Sequence, residues 1–435
     1  MSETRQIAVE ILNRIFNDQI FFNEAKIRSD ADKRTDLPFV NMLVLTTLRR
    51  LVFIRKVLNR FIKKPHRGTL RFADCALYAA VAEMLFLDTP DYAVINSYIS
   101  LIKQRHDKYI ANFANAVLRN IARSKAEILS EDASAFFPPE FIKILKKGYT
   151  PKQIKLIEEF SAREAPLDLT FKNPEETAAW NPKLNGTILP NGSIRLDNNG
   201  KIAALPGYDK GMWWIQDFAA SLPVLAMGNV KGLRVLDLCA APGGKTAQLI
   251  SRGAQTTALD ISAARLNTLS ENLKRLSLQT EATVCADALD YLQNFSGKPF
   301  DALLLDAPCS ASGTVRRHPE LVHLKTLNDI KKAAELQKRL LSQAGRALKD
   351  GGILLYTVCS ISPDEGEEQI KSFLAAHPEF RLLPIAERDI DLNGSGSLDI
   401  LIDNNGFLRT LPYYCGNQGG MDAFFAAKLQ KVKNA

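Results

Sequence analysis

The sequence predicts a multidomain chain with an all-α bundle in front, a small α+β segment in the middle, and a doubly wound α/β domain behind. Three observations predict it. Apolar residues recur at helical spacing through most of residues 1–130. Between about 165 and 215 the texture changes to short alternating runs broken by Asn-Gly pairs. From Val224 onward, short apolar strands alternate with amphipathic helices. At 435 residues the chain exceeds one ordinary domain, and a composition 46% hydrophobic and 24% charged leaves each part enough apolar material for a core. The expected boundaries are 1–135, 136–222 and 223–435.

The front elements follow from their spacing. Ile7, Ile11 and Ile15, with Leu12 and Phe16 beside them, form the apolar stripe of a first helix. A second runs from Leu37 to Ile62, with Lys56, Arg60 and Lys64 four apart on one polar face. Further helical patterns cover Phe72 to Leu87, Ala93 to Gln104 and Ile110 to Arg123, and prolines 38, 65 and 90 sit near the breaks. Ala133 to Pro139 is small and proline-rich and reads as a linker, followed by one helix over Ile142 to Phe160. Charge is concentrated here. Residues 1–130 carry 21 Lys/Arg against 13 Asp/Glu, whereas the rest carry 35 of each, so the net +8 belongs to the front. Arg49 to Arg71 holds nine basic residues and no acidic one. Arg49, Arg50, Arg55, Lys56, Arg60, Lys63, Lys64 and Arg67 are therefore candidate contacts for a polyanion, the alternative being a solvated helix face.

In the middle segment Leu167 to Phe171 alternates, and Asn181-Pro182, Asn185-Gly186, Asn191-Gly192 and Asn199-Gly200 are expected at tight turns. Trp213 and Trp214, near its end, read as core. Strands are then expected at Arg234 to Leu238, Thr256 to Leu259, Thr283 to Ala286, Phe300 to Leu305 and Gly352 to Val358. Ser262 caps a helix striped by Leu266, Leu269, Leu273 and Leu276. In a parallel sheet of this kind, ligands sit at the carboxyl ends of the strands. Those ends carry Asp260, Asp287, Asp306 and Cys359.

The turn after the first of these strands, Cys239-Ala240-Ala241-Pro242-Gly243-Gly244-Lys245, is small enough for a ligand to approach the backbone. It has neither the spacing of a dinucleotide turn nor that of a phosphate loop. Asp260 can accept from both hydroxyls of a ribose, and Asp287 from an adenine amino group. Turn and acids together describe an adenosine ligand without a pyrophosphate clamp. For a single aspartate, a helix N-cap is the alternative. The six cysteines (75, 239, 285, 309, 359 and 415) include no CxxC pair, so neither a disulfide scaffold nor a metal site is expected. Cys75, Cys285 and Cys415 read as buried hydrophobes, and Cys239 matters for its size. Cys309, in Asp306-Ala307-Pro308-Cys309-Ser310, and Cys359 lie fifty residues apart at the ends of two strands expected to be neighbours. Two thiols beside a sulfonium methyl donor suit methylation at carbon 5 of cytosine. One thiolate adds to carbon 6 and makes carbon 5 nucleophilic. An acid such as Asp306 assists at N3, and a base strips the carbon 5 proton. Either cysteine is a physically reasonable attacker on these grounds. Arg316 and Arg317 could favour a thiolate. The N-terminus lacks a secretion signal and no long uncharged apolar run stands out, so a soluble cytoplasmic protein without membrane contact is expected.

The strings LCAAPGGKT, DAPCSASG, RRHPE and YTVCS resemble the Fmu/Sun group of RNA 5-methylcytosine methyltransferases, and the front bundle resembles the antitermination factor NusB. The resemblance covers nearly the whole chain. It implies a NusB-like bundle, an RRM-like small segment and a Rossmann-like methyltransferase domain using S-adenosyl-L-methionine. It implies cofactor contacts from Cys239 to Lys245, Asp260, Asp287 and Asp306, with Cys359 as nucleophile and Cys309 assisting product release. It further implies small-subunit (16S) ribosomal RNA as partner, contacted also by Arg316 and Arg317, and a monomer. The alternatives are the same chemistry on transfer RNA, or a non-catalytic RNA-binding assembly factor. Two positions depart from the family pattern: Val358 stands where Thr commonly precedes the nucleophile, and the tail reads Gly420-Met421-Asp422-Ala423-Phe424-Phe425.

Overall fold

The computed structural model of the chain describes residues 2–27, 37–62, 71–106, 108–197, 201–386, 389–390, 392 and 400–432. These fall into two compact units. The first contains Met1–Lys143, Pro151–Arg163 and Val315–Lys325. The second contains Ile144–Thr150, Glu164–Thr314 and Thr326–Ala435.

The first unit is helical: α1 (Ser2–Asp18), α2 (Phe22–Ile27), α3 (Leu37–Phe61), α4 (Phe72–Phe86), α5 (Asp91–Arg105), α6 (Lys108–Arg123) and α7 (Lys125–Leu129). The stripes expected from the sequence face one another, with Ile11, Ile15, Leu43, Leu48, Ile54, Val81, Tyr98 and Leu118 all buried. By length and composition α3 could cross a membrane, although no long uncharged run marks it in the sequence. Its Leu43, Val44, Leu48, Leu51 and Ile54 are instead spent in this core. α4 is apolar nearly all round, as a central helix must be, and its one buried acid, Glu83, is satisfied. Arg5 Nη2 donates to Glu83 at 2.6 Å and Tyr98 Oη at 3.0 Å.

Two expectations in this region are corrected. Ile142 to Phe160 is not one helix but two, α8 (Pro139–Leu145) and α9 (Pro151–Ser161), because Gly148 and Pro151 interrupt the backbone ladder. The Ala133 to Pro139 stretch has no regular structure before α8 begins at Pro139, yet it is no loose linker. Phe136 and Phe137 are buried against Phe141, and Glu158 accepts hydrogen bonds from both of their backbone amides at 2.8 Å.

The second unit carries two sheets. The smaller joins β1 (Leu167–Phe171), β2 (Thr187–Ile188), β3 (Ile194–Leu196) and β4 (Trp213–Ile215) in the antiparallel order β2-β3-β1-β4. Asn181-Pro182 is not a turn, as expected, but lies inside α10 (Thr177–Leu184). Asn185 does end that helix, in the left-handed conformation Asn tolerates (φ 51°). Asn199 and Gly200 lie outside the described residues. Trp213 and Trp214 are buried, as expected. A buried ion pair between Asp168 and Arg195 spans β1 and β3, and Arg195 Nη1 donates to the carbonyls of Gln418 and Gly420 at 2.7 Å each. The small sheet is thereby fastened to the loop near the chain's end.

After α11 (Phe218–Ala226) comes the larger sheet: β5 (Arg234–Leu238), α12 (Gly244–Ser251), β6 (Gln255–Asp260), α13 (Ala263–Leu276), β7 (Ala282–Cys285), α14 (Ala288–Gln293), β8 (Phe300–Asp306), α15 (Leu321–Leu324), α16 (Leu327–Ala344), β9 (Leu348–Val358), α17 (Glu367–Ala376), β10 (Phe380–Leu382), β11 (Leu408–Arg409) and β12 (Phe425–Lys431). The strand order is β10-β12-β9-β8-β5-β6-β7, with β11 on β12. β5 to β9 run parallel and β12 enters antiparallel beside β9. This is the doubly wound α/β fold the alternation implied. β8 and β9 are neighbours, pairing Asp306 with Thr357, so the residues just beyond both strands emerge side by side.

Candidate active site

The site is built at the carboxyl ends of β5, β6, β8 and β9. Cys239 leaves β5 in a left-handed conformation (φ 61°) and Gly243 begins α12 at φ 102°, so the turn folds back tightly. It is braced by the next strand: Ala240 N donates to Leu259 O at 2.9 Å and Ala241 N to Asp260 Oδ2 at 3.2 Å. Ala240 and Ala241 are buried while Pro242 is exposed. Asp260, 1% exposed, also accepts from Ser262 N at 3.0 Å and pairs with Arg265. Asp287 caps α14, its Oδ1 accepting from the amides of Leu289 and Asp290. The cap expected as the alternative for a single aspartate is thus real for Asp287, which stays partly exposed. Asp306 takes Lys245 Nζ at 2.8 Å. Burial pushes the Lys245 ammonium down, but Asp306 outweighs it and the net direction is up, so the pair is held ionised on the lysine side.

These groups fit an adenosyl ligand by their chemistry. Three carboxylates at or just beyond the carboxyl ends of β6, β7 and β8 accept from hydroxyl and amino donors. The cations beside them, Lys245 and Arg265, already face Asp306 and Asp260, which leaves no pyrophosphate clamp there among the described residues.

Beyond β8 and β9 the two cysteines meet. Cys309 Sγ and Cys359 Sγ are 3.3 Å apart, both half-buried. The hydrogen bond to Cys359 and burial push the Cys309 thiol well above the usual thiol range, so Cys309 keeps its proton. Burial, followed by the charges of Asp306, Asp260 and Asp237, pushes Cys239 up to about 12, in keeping with a packing role. Gly313 is wedged between the cysteine loop and the tail: its amide donates to Cys359 O at 3.0 Å, and its carbonyl accepts from Ala423 N at 2.9 Å. Thr357 Oγ1 donates to Phe425 O at 2.8 Å, so the hydroxyl one place earlier than the family pattern ties β9 to β12.

The other candidates named from the sequence lie elsewhere. Arg316 and Arg317 do not join the cysteines in one unit, because Val315–Lys325 packs with the helices. There Arg316 is fully buried and its carbonyl accepts from Arg49 Nη2 at 3.1 Å, while Glu320 accepts from Phe22 N and His323 meets Leu48 O at 2.9 Å. The basic run is partly occupied within its own unit. Arg50 donates to Ala133 O, Arg55 lies over the rings of Phe16 and Tyr78, and Lys56 and Arg60 both pair with Glu131. Lys63, Lys64 and Arg67 lie outside the described residues. Of the cysteines read as buried, Cys75 is, Cys415 is half-buried and Cys285 is exposed, because β7 is the sheet's edge strand.

Sequence reasoning missed two groups. Asp237 is fully buried in β5, with Thr246 Oγ1 donating at 2.6 Å, and an acid inside an apolar strand was the available signal. Glu365 is fully buried behind both cysteines, but among Asp364-Glu365-Gly366-Glu367-Glu368 nothing marks it as the interior one.

Residues 224–430 match the family described as 16S rRNA methyltransferase RsmB/F, and residues 2–123 match the NusB family. The ribosomal RNA small subunit methyltransferase B of Vibrio cholerae serotype O1 is 34% identical over 351 residues, covering 77% of this chain and 80% of that relative. The protein of the same name from Pasteurella multocida is 29% identical, covering 99% and 96%. Among solved structures, the crystal structure of PH0851 superposes with a TM-score of 0.73 at 22% identity, covering 98% of this chain and 99% of that one, a likeness of fold.

Proposed function

This chain belongs to the 16S rRNA methyltransferase RsmB/F family, and on that premise we propose that it methylates carbon 5 of a cytosine in small-subunit ribosomal RNA through a covalent bond from Cys359 to carbon 6. The observation that carries this is the 3.3 Å approach of Cys309 and Cys359 beside the aspartates of the strand ends. S-adenosylmethionine supplies the methyl group, carried on a sulfonium. The residues that would hold it are the Cys239–Lys245 turn, Asp260, Asp287 and Asp306.

The remaining chemistry belongs to the chain. Cys359, as thiolate, forms a bond to carbon 6, and the electron pair of the C5–C6 double bond becomes available at carbon 5. Asp306 would meet the N3 edge of the base and accept from the proton that N3 takes up from solvent as the thiolate adds, with the Lys245 ammonium 2.8 Å away to balance the carboxylate charge. Once carbon 5 carries the methyl group, Cys309, having released its own proton to solvent, takes the carbon 5 proton as a thiolate, the double bond reforms, and Cys359 leaves as thiolate. Cys309 is held protonated in the free site first by its hydrogen bond to Cys359 and then by burial. Converting Cys359 to a thioether removes the first of these causes, so Cys309 gives up its proton to solvent more readily and is available as a thiolate at the step that needs a base. The target base must be unpaired or flipped to reach this depth.

Cys359→Ala is expected to abolish methyl transfer from labelled S-adenosylmethionine to small-subunit RNA, with transfer RNA as the control substrate. Cys309→Ala is expected to accumulate a covalent protein–RNA species on denaturing gels. Full turnover by Cys359→Ala overturns the proposal, and absence of the trapped species removes the release role from Cys309.

A further inference from the structure

A buried carboxylate is costly unless its oxygens are well hydrogen-bonded. Glu365, with no exposed surface, meets that condition using partners that follow the two cysteines in the chain. Oε1 accepts from Ser310 N at 2.9 Å and from Gln337 Nε2 at 3.0 Å. Oε2 accepts from Ser310 Oγ at 2.6 Å and from Ser360 Oγ at 2.5 Å. Ser310 is the neighbour of Cys309, and Ser360 is the neighbour of Cys359. Gln337 also donates to Pro308 O at 2.9 Å, so the residues on both sides of Cys309 are tied to the same carboxylate.

The rest of the cluster leaves little slack. Ser312 Oγ lies 2.9 Å from Ser310 Oγ and 3.1 Å from Ser360 Oγ, and it accepts from Ile361 N at 3.2 Å. Ser310, Ser312 and Ser360 are all buried. Glu365 is held in turn by Tyr356 Oη, which donates to its carbonyl at 2.6 Å from inside β9. Pairing between β8 and β9 ends at Asp306 and Thr357, and β12 pairs β9 only as far as Val358, so neither cysteine belongs to the sheet's ladder.

We infer that Glu365 is the positioning residue that holds the loops after β8 and β9 together and so brings the Cys309 and Cys359 sulfurs into one site. It touches neither sulfur and acts through Ser310 and Ser360. The inference deepens the two-cysteine chemistry proposed above and rests on it for its consequence in catalysis, but the convergence of the sulfurs is measurable without catalysis.

Phenylarsine oxide, which bonds two thiols at once only when they converge, reads this directly in the full-length protein. Wild type should bind it through Cys309 and Cys359, with Cys309→Ala as the control that loses the site. Glu365→Gln places an amide donor where the two serines donate, and should weaken capture about tenfold or more, since a chelate depends on the preset spacing of its two ends. The same variant should lower kcat about a hundredfold, while KM for S-adenosylmethionine and the thermal midpoint stay close to wild type. Ser360→Ala, which removes one donor and leaves three, should show the same pattern more weakly and covers the case in which Glu365→Gln fails to fold. Wild-type capture of the arsenical by folded Glu365→Gln overturns the inference, as does a kcat loss matched by equal losses in cofactor affinity and stability. Turnover by Cys359→Ala would instead sink the covalent chemistry and leave the capture result standing.

Discussion

Asp237 shows how a single residue stores a pH response. Burial raises its carboxyl to about 7, against the hydrogen bond from Thr246 that favours the charged form, and its Oδ1 has no partner among the described residues. A folded-state value above the unfolded one means the proton stabilises the fold. That contribution is full below about pH 4, the ordinary carboxylate value, and is lost as pH rises through 7. Asp237→Asn keeps the shape and the bond from Thr246 but cannot ionise. Relative to it, wild type should lose stability on the order of a few kcal/mol between pH 4 and 7 and no more above that. Thermal melts of both proteins across this range check it; parallel curves would show that Asp237 is charged in the fold throughout. The same residue marks where sequence reading falls short. The turn, the three strand-end aspartates and both cysteines stand out because polar residues at the ends of apolar runs are visible in one dimension. Asp237 inside its apolar strand carries a signal too, but how its carboxylate is satisfied is a matter of packing, and for Glu365 the neighbours in the chain do not reveal even that it points inward.

Among the elements, the ends of β8 and β9 and the tail before β12 are coupled through Gly313. A Cβ built there would lie 1.9 Å from Ala423 O and 3.0 Å from Cys359 O, both backbone atoms with no side-chain rotamer to move aside. Gly313→Ala should therefore separate the cysteine loop from the tail, at an overpacking cost of about 1–3 kcal/mol. It should reduce methyl transfer while the helical unit keeps its own melting behaviour. A variant with wild-type turnover would show that the tail is not required to hold Cys359. The elements themselves are largely legible in the chain, since period and caps are local properties. The misread ones fail for identifiable reasons. Asn181-Pro182 carries a turn signal yet occupies a helix, where tertiary packing overrides the local preference. The break between α8 and α9 is written in Gly148 and Pro151, but the apolar spacing on either side masks it.

For the molecule as a whole, the front surplus of charge is smaller in effect than its count. Glu131, sixty residues beyond the end of the basic run, pairs with both Lys56 and Arg60, which pull its carboxyl down to about 2. If this face meets RNA phosphates, Glu131→Gln should release both cations, tighten binding several-fold at about 0.1 M salt and steepen the dependence of log K on log salt by up to about two counterions. Unchanged affinity and slope in a filter-binding titration would remove Lys56 and Arg60 from the RNA surface. The basic run can be read in the chain, whereas its counter-charge cannot, because Glu131 reaches it only through the fold.

Residue order alone carried the fold classes, the polar strand ends and the identity of the two thiols, since each is encoded by periodicity or by a short string. Three-dimensional packing decided the rest: the 3.3 Å meeting of sulfurs fifty residues apart, the carboxylate that locks them, and the transfer of Val315–Lys325 into the helical unit. These are contacts between distant parts of the chain, and their free energy comes from burial and hydrogen-bond satisfaction in a finished interior that no local stretch of sequence contains.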